Sequence, residues 1–310
     1  MVRLKERKLE WAFRKKDQKK EKVEDLAYQC GVKKRRFQQL YAEYKMTGEI
    51  PKLKKARRPK TFLTEDQILL IDKALNESLL RGAFKLRLYI KKYYGENIPH
   101  NKIHKYMRKK GVSKEDKKKQ EQRKYCRYVR DHSFSLVHLD WHDSRAVKGK
   151  FVCAIEDDCS RQIICGDEFD NEKQENNIEL MNKAINIVRE KYSAIIREAN
   201  SDKGPQFYCN TKKKDGERGE SKFEIFLKEK GINHIPSRRN HPQTNGKNER
   251  WFRTYEENRN NFKSFKEFQE WYNNMIHLGL SRKEGITPNE HVMNKLQPES
   301  ILGLFLRMVE

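Results

Sequence analysis

Apolar residues recur with two different periods along this chain, and the change falls near Phe134. Before it the spacing is helical. Leu26 and Ala27, then Val32, Phe37, Leu40, Tyr41 and Tyr44, mark two short helices separated at Gly31, a residue that tolerates the positive φ of a tight turn. Residues 4–21 are charge-dense and predict a helix without a strong apolar face. Thr64-Glu65-Asp66-Gln67 has the form of a capping box, and Ile68, Leu69, Ile71 and Leu75 follow it at helical spacing. A further helix is predicted over 84–94, carrying Leu86, Leu88, Ile90 and Tyr93. The next, over 100–110, turns Ile103, Tyr106 and Met107 inward and Lys102, Lys105, Arg108 and Lys109 outward, with Gly111 as its stop.

After Phe134 the runs shorten. Strands are predicted at 136–141, 151–155, 162–165, 194–199 and 232–235, with turns at Val147-Lys148-Gly149-Lys150 and Asp158-Cys159-Ser160-Arg161. Helices are predicted over 178–192 and 223–230, from about Asn245, and over 264–275. A final helix opens at Thr287-Pro288. Three antiparallel strands, helix, strand, helix, strand, helix is the element order of a ribonuclease H-like fold, a mixed five-stranded sheet flanked by helices. The fold class expected is therefore an α-helical N-terminal helix-turn-helix region followed by an α/β ribonuclease H-like core.

Charge sharpens this division. Of the 69 Lys+Arg and 45 Asp+Glu in 310 residues, residues 1–130 hold 40 and 16, and residues 131–310 hold 29 and 29. The whole excess of +24 therefore lies in the front of the chain. A polyanion-binding region segregates charge in this way, because each neutralised phosphate releases counterions. On charge alone RNA or an anionic membrane surface remains open. No apolar run approaches the roughly 20 residues of a membrane span, and Met1-Val2-Arg3-Leu4-Lys5 leads into charge rather than a signal-peptide core. The expected setting is the cytoplasm of a prokaryotic cell, in association with the nucleoid. The six cysteines form no CxxC pair, so they are expected as free thiols rather than a zinc site. His100 and His104 are spaced as metal ligands on a helix can be, but no second ligand pair follows.

Lys33-Lys34-Arg35-Arg36 would open the second helix of the first hairpin, where a recognition helix meets DNA, and the Ala27-to-Gly31 spacing resembles helix-turn-helix regulators and transposases. The helices over 63–112, ending in a basic one, suggest a second such module. Between the two lies a basic linker, 51–62, whose Arg57-Arg58-Pro59 either enters a minor groove or is simply solvated.

In the back half, Ser201-Asp202-Lys203-Gly204-Pro205-Gln206-Phe207 resembles the strand-end motif of retroviral integrases and insertion-sequence transposases. His241-Pro242-Gln243-Thr244-Asn245-Gly246-Lys247-Asn248-Glu249-Arg250 resembles that family's third motif. Ser160-Arg161, Tyr272-Asn273 and Thr287-Pro288 fall where the family tends to place such pairs. The resemblance covers residues 134–295 and, loosely, the front modules. It implies that Asp140, Asp202 and Glu249 are the catalytic acids and hold two Mg²⁺ or Mn²⁺ ions, roughly 3.5–4 Å apart, for an in-line displacement at phosphorus. It further implies that Asn245, Lys247 and Arg250 lie against DNA, with Lys33, Lys34, Arg35, Arg36, Arg57, Arg58, Lys102, Lys105, Arg108 and Lys109 as contacts in the front half. Asp143, Asp157 and Asp158 are rival acids that read as turn or strand-edge residues. The chain departs from the pattern at Lys203, where Asn is common, and in a long Asp202-to-Glu249 interval that the polar loop 209–220 accounts for.

The domains expected are a first helix-turn-helix region over 1–50, the linker, a second module over 63–112, a charged connector over 113–132, a catalytic core over 133–285 and a helical tail over 286–310. The function implied is a DNA transposase or integrase that binds element ends, cleaves their 3′ ends and transfers them into target DNA, working as a homodimer or larger on double-stranded DNA. The alternative is a DNA-binding protein derived from an inactive transposase.

Overall fold

The computed structural model describes residues 6–18, 21–51, 62–113, 129–211, 218–237 and 242–309. It falls into two compact units, Met1–Phe62 and Leu63–Glu310. Arg57, Arg58 and most of the linker and of the 113–132 connector lie outside the described residues, as do Cys126 and the tip of the 209–220 loop.

The first unit is three helices, α1 (Glu6–Asp17), α2 (Val23–Gln29) and α3 (Lys34–Thr47). Its core joins Leu9, Ala12 and Phe13 to Leu26, Ala27, Cys30, Phe37 and Leu40. The expectation that α1 lacks an apolar face is corrected here. Leu9, Ala12 and Phe13 stand at i, i+3 and i+4, enough to make a narrow stripe among charged neighbours, and all three are fully buried. Phe13 stacks on Tyr44 with 5.1 Å between ring centres. Gly31 takes φ 68° between α2 and α3, and the Val32 N–H donates to the Ala27 carbonyl across the turn.

The second unit opens with α4 (Glu65–Ser78), α5 (Ala83–Tyr94) and α6 (His100–Lys109). The capping box at Thr64 and Gln67 is formed. Ile71, Leu86, Ile90, Ile103 and Met107 from these helices share one buried cluster with Val152, Ala154 and Ile163 of the sheet and with Trp251, Phe268 and Tyr272. The Trp271 indole N–H donates to the Ser78 carbonyl, and Lys92 bonds the Gly285 carbonyl and Glu290. The expected boundary after residue 112 therefore falls inside a single unit.

The sheet has five strands, β1 (Leu136–Asp143), β2 (Phe151–Asp157), β3 (Ile163–Phe169), β4 (Glu198–Ser201) and β5 (Asn233–Pro236), in the order β3-β2-β1-β4-β5. β2 runs antiparallel to β1 and β3, while β4 and β5 run parallel to β1. With α7 (Gln174–Tyr192) between β3 and β4 and α8 (Lys222–Glu229) between β4 and β5, this is the ribonuclease H-like fold. The strand expected over 194–199 begins later, at Glu198. Ser193 closes α7 with φ 49°, and the chain needs the next residues to return to the sheet: Ala194 and Ile196 pack inward while Ile195 is exposed.

Side chains alternate across β1. Val137, Leu139 and Trp141 enter a core with Cys153, Ile155, Ala199 and the inner face of α7. His138, Asp140 and His142 point to the opposite face, which is covered by α9 (Pro242–Asn258) and α10 (Phe265–Asn274). A short 3-10 turn, Arg259–Asn261, joins these two, and α11 (Pro288–Asn294) and α12 (Pro298–Val309) end the chain. Among the described residues no helix is long and apolar enough to cross a membrane.

Candidate active site

Two of the three expected acids are brought together by strand register. β1 and β4 are parallel, with His138 opposite Asn200. Extending that register by two residues sets Asp140 beside Asp202, which lies just past the end of β4. Asp140 is pushed up to about 7, first by burial, then by the negative charge of Asp202; the Trp141 N–H and the Asn248 amide pull the other way. The Asp202 carboxylate accepts the Gly204 N–H at 2.9 Å, which ties it to the loop after β4.

Glu249 lies on α9 and is exposed. Among the described residues, no group of three or more His, Cys, Asp or Glu side chains is gathered closely enough to hold a metal ion. The direction of α9 nevertheless places Glu249 on a definite edge. Trp251, Phe252, Tyr255 and Arg259 turn inward. On the edge next to Phe252, Glu256 accepts from His142 at 2.8 Å and from the Arg145 N–H at 3.0 Å. Glu249 is seven residues before Glu256, hence on nearly the same edge and about 10 Å back along the axis. His142 is two residues after Asp140 on one face of β1. The Glu249 edge of the helix is therefore the edge that runs along the Asp140 face.

Next to this pair is a buried polar network that the sequence did not signal. His138, 3% exposed, bonds Asn200 through Nδ1 at 3.1 Å and Asp158 through Nε2 at 2.6 Å. Asp158 also accepts the Arg130 N–H at 2.7 Å and is ion-paired with Lys247 of α9. Burial raises Asp158, but the His138 ring and the Lys247 ammonium outweigh it and hold the carboxyl well below the usual range. Lys247 is lowered by burial and by nearby Arg161, against the pull of Asp158. Asp157 accepts the Phe134 N–H at 2.7 Å and both the Ser160 N–H and hydroxyl, which builds the β2–β3 turn. Asp157 at the end of β2 and Asp158 at the start of the turn thus lie where expected, and both are buried, 0% and 1% exposed; Asp158 is in addition an internal anchor. The signal that was present is the period-two placement of His138 and Asp140 on one strand face; its meaning depends on the register with β2, which sets Glu156 opposite His138.

Two further residues enter from outside the expected set. Asn248 is 5% exposed, lies close enough to Asp140 to lower it, and leaves its Nδ2 without a completed hydrogen bond. Glu172, in the connector before α7, is lifted by partial burial and by Asp202 and Asp143. Lys203 is exposed, with its ammonium 5.5 Å from the centre of the Tyr208 ring. The base of the 209–220 loop is held by Arg218, which bonds Glu224 at 2.8 Å and the Cys209 carbonyl at 3.0 Å.

The expected DNA contacts are distributed over separate surfaces. Lys33, Lys34, Arg35 and Arg36 are all exposed around the start of α3, with Lys34 paired to Glu24. Lys105, Arg108 and Lys109 are exposed on α6, and Lys102 is half-buried. Arg250 is exposed on α9, while Lys247 points inward. The side chain of Asn245 lies outside the described residues. Described cysteines Cys30, Cys153, Cys159, Cys165 and Cys209 are all free thiols.

No protein-family model matches this chain, and no curated protein matches it. Among solved structures, it is similar to the catalytic core domain of BIV integrase in a crystal form I structure. The identity is 16%, over 52% of this chain and 94% of that one, with a TM-score of 0.35. The fold assignment rests on strand order and register, not on that likeness.

Proposed function

We propose that this chain is a DNA strand-transfer enzyme of the transposase and integrase type. The observation that carries the reading is the juxtaposition of Asp140 on β1 with Asp202 just past the end of the parallel β4, in a setting that raises Asp140 to about 7. Two carboxylates that repel one another in a partly closed site fit a hard divalent cation, whose charge would relieve the repulsion. Asp140 and Asp202 would hold Mg²⁺ or Mn²⁺, with Glu249 completing the set as α9 settles against the sheet. When bound, two such cations supply Lewis-acid stabilisation to the attacking and leaving oxygens of an in-line displacement at phosphorus.

The chain's own residues then have distinct tasks. The acids would hold the divalent cations at which a phosphodiester meets water; attack by that water breaks the bond to the 3′ oxygen, which takes up a proton and leaves as a free 3′-OH. In a second displacement that 3′-OH attacks a target phosphodiester and expels its 3′ oxygen. Exposed Arg250, the basic start of α3 and the basic second half of α6 are suited to the phosphate backbone. The exposed position of Glu249 favours a second reading, a DNA-binding protein in which the acids are idle.

A labelled duplex bearing the DNA that flanks the coding region, incubated with Mg²⁺ or Mn²⁺, separates the two. Metal-dependent 3′-end nicking by wild type and not by Asp202→Asn is the expected result. Specific binding without nicking under either metal would leave the second reading standing.

A further inference from the structure

Among the described side chains of α9, a half-buried lysine makes a contact on one edge of the helix and Glu256 makes contacts on the other. Successive residues of a helix are 100° apart, so Lys247 and Glu249 lie about 200° from each other. Between them the helix buries Asn248, Trp251 and Tyr255. Lys247 therefore occupies one edge of the buried stripe and Glu249 the other. On the Lys247 edge the contact is the ion pair to Asp158, whose lysine side chain is 13% exposed and whose aspartate is 1% exposed. On the Glu249 edge the described contacts begin one turn on, where Phe252 stacks on His142 with 4.8 Å between ring centres, and continue at Glu256.

We propose that Lys247 is a positioning residue: its pairing with Asp158 sets the roll of α9 and thereby the reach of Glu249 toward Asp140 and Asp202. The inference rests on the strand-transfer reading. A glutamate tip stands about 5–6 Å from its helix axis, so a roll of about 20° would carry it about 2 Å. A Mg²⁺ ligand oxygen has far less latitude, since the ion requires near-octahedral oxygens at about 2.0–2.1 Å. The chemistry of the pair points the same way. A lysine near a surface ordinarily extends its ammonium into water. Drawing it inside sacrifices hydration that an ion pair only partly restores, so a buried pair contributes little to stability relative to an apolar substitute. What it supplies is a fixed direction. Asp158 is itself held on three sides, by His138, the Arg130 N–H and Lys247, and so is a rigid post rather than a mobile partner.

The test is Mn²⁺ binding to the full chain, followed by the loss of free Mn²⁺ signal in electron paramagnetic resonance, together with thermal melts without metal. The variants are Lys247→Met, the double variant Lys247→Met/Asp158→Asn, which removes both charges, Glu249→Gln, and Lys247→Met combined with Glu249→Gln. Both variants that remove Lys247 alone or with Asp158 are expected to weaken Mn²⁺ about tenfold, the lower end for residues that orient a metal ligand. The double variant should melt at or above the wild-type temperature. Adding Lys247→Met to Glu249→Gln should weaken Mn²⁺ no further, because the lysine acts through the glutamate. Unchanged Mn²⁺ affinity in the well-folded double variant, or full additivity with Glu249→Gln, would overturn the positioning role while leaving the strand-transfer reading intact. A folded wild type that binds no Mn²⁺ would remove both.

Discussion

The two faces of the sheet are built from the same strands and do opposite things. On one face Val137, Leu139 and Trp141 pack against Ile155, Cys153 and α7, and neighbours are apolar apart from Asn177 of α7, which accepts the Trp141 indole N–H. On the other, His138, Asp140 and His142 alternate with them along β1 and meet α9. Burial alone does not distinguish the faces, since Glu156, Asp158 and His138 are as enclosed as many core aliphatics. The difference lies in what each face demands. The apolar face needs only volume and shape, whereas every group on the polar face needs a partner of the right charge and direction. Stability should therefore be concentrated on the first face and activity on the second.

The strongest break of that comparison is Asp202→Asn. Removing one of two paired carboxylates should lower strand cleavage at least about 1,000-fold, equivalent to about 4 kcal/mol of transition-state stabilisation. The metal-free variant should melt no lower than wild type, because a charge that repels Asp140 has gone. Leu139→Ala is the converse. Leu139 is 1% exposed on the apolar face, and the truncation should cost about 3 kcal/mol of unfolding free energy in a denaturant titration. Cleavage per folded molecule should be unchanged. An Asp202→Asn protein that melts well below wild type, or a Leu139→Ala protein inactive while folded, would show that the faces are not separable.

Asp140 makes the contrast visible as a pH dependence. Its ordinary value is 3.8 and in the folded, cation-free chain it rises to about 7. The folded state thus holds a proton that the unfolded chain releases, so this residue weakens folding progressively as pH rises from about 4 to about 7. Between pH 5 and 8, wild type should lose about 2–3 kcal/mol relative to Asp140→Asn, measured as paired melts in chelator. Divalent cation should abolish most of that difference. A constant gap between the two proteins across this range would mean that Asp140 is not held in a repulsive site.

The legible part of this molecule was its periodicity. Short apolar runs marked β1 to β3, the 3.6-residue repeat marked α7 and α10, and Asp202 is singled out by the resemblance of the motif that begins at Ser201. Three features were not legible, for physical reasons. The apolar stripe of α1 is three residues wide in a helix otherwise dominated by charge. The delayed start of β4 depends on a left-handed Ser193, a conformation that sequence favours only for glycine and asparagine. The resemblance implies that Lys247 faces DNA, and lysines rarely turn inward; only the turn that brings Asp158 under α9, remote in sequence, makes a half-buried position favourable.

The smallest expected effect compares two lysine–carboxylate pairs of the same unit. Lys92 bonds Glu290 at 2.6 Å, as Lys247 bonds Asp158, but its side chains are 29% and 48% exposed. Water competes for both partners there, and holding two long side chains in one geometry carries an entropic cost. Lys92 also donates to the Gly285 carbonyl, which water can replace at this surface. Lys92→Ala should therefore shift unfolding free energy by less than about 1 kcal/mol, the shift should shrink further in high salt, and Mn²⁺ affinity should stay at the wild-type value. Because Lys92 joins α5 to the start of α11, a much larger loss of stability would mean that the helices α4–α6 are held to the sheet by this contact rather than by Ile71, Leu86 and Ile90 in the shared core. A change in Mn²⁺ affinity would carry a different meaning: that the arrangement of the acids is sensitive to strain from the whole unit, not to the roll of α9 alone.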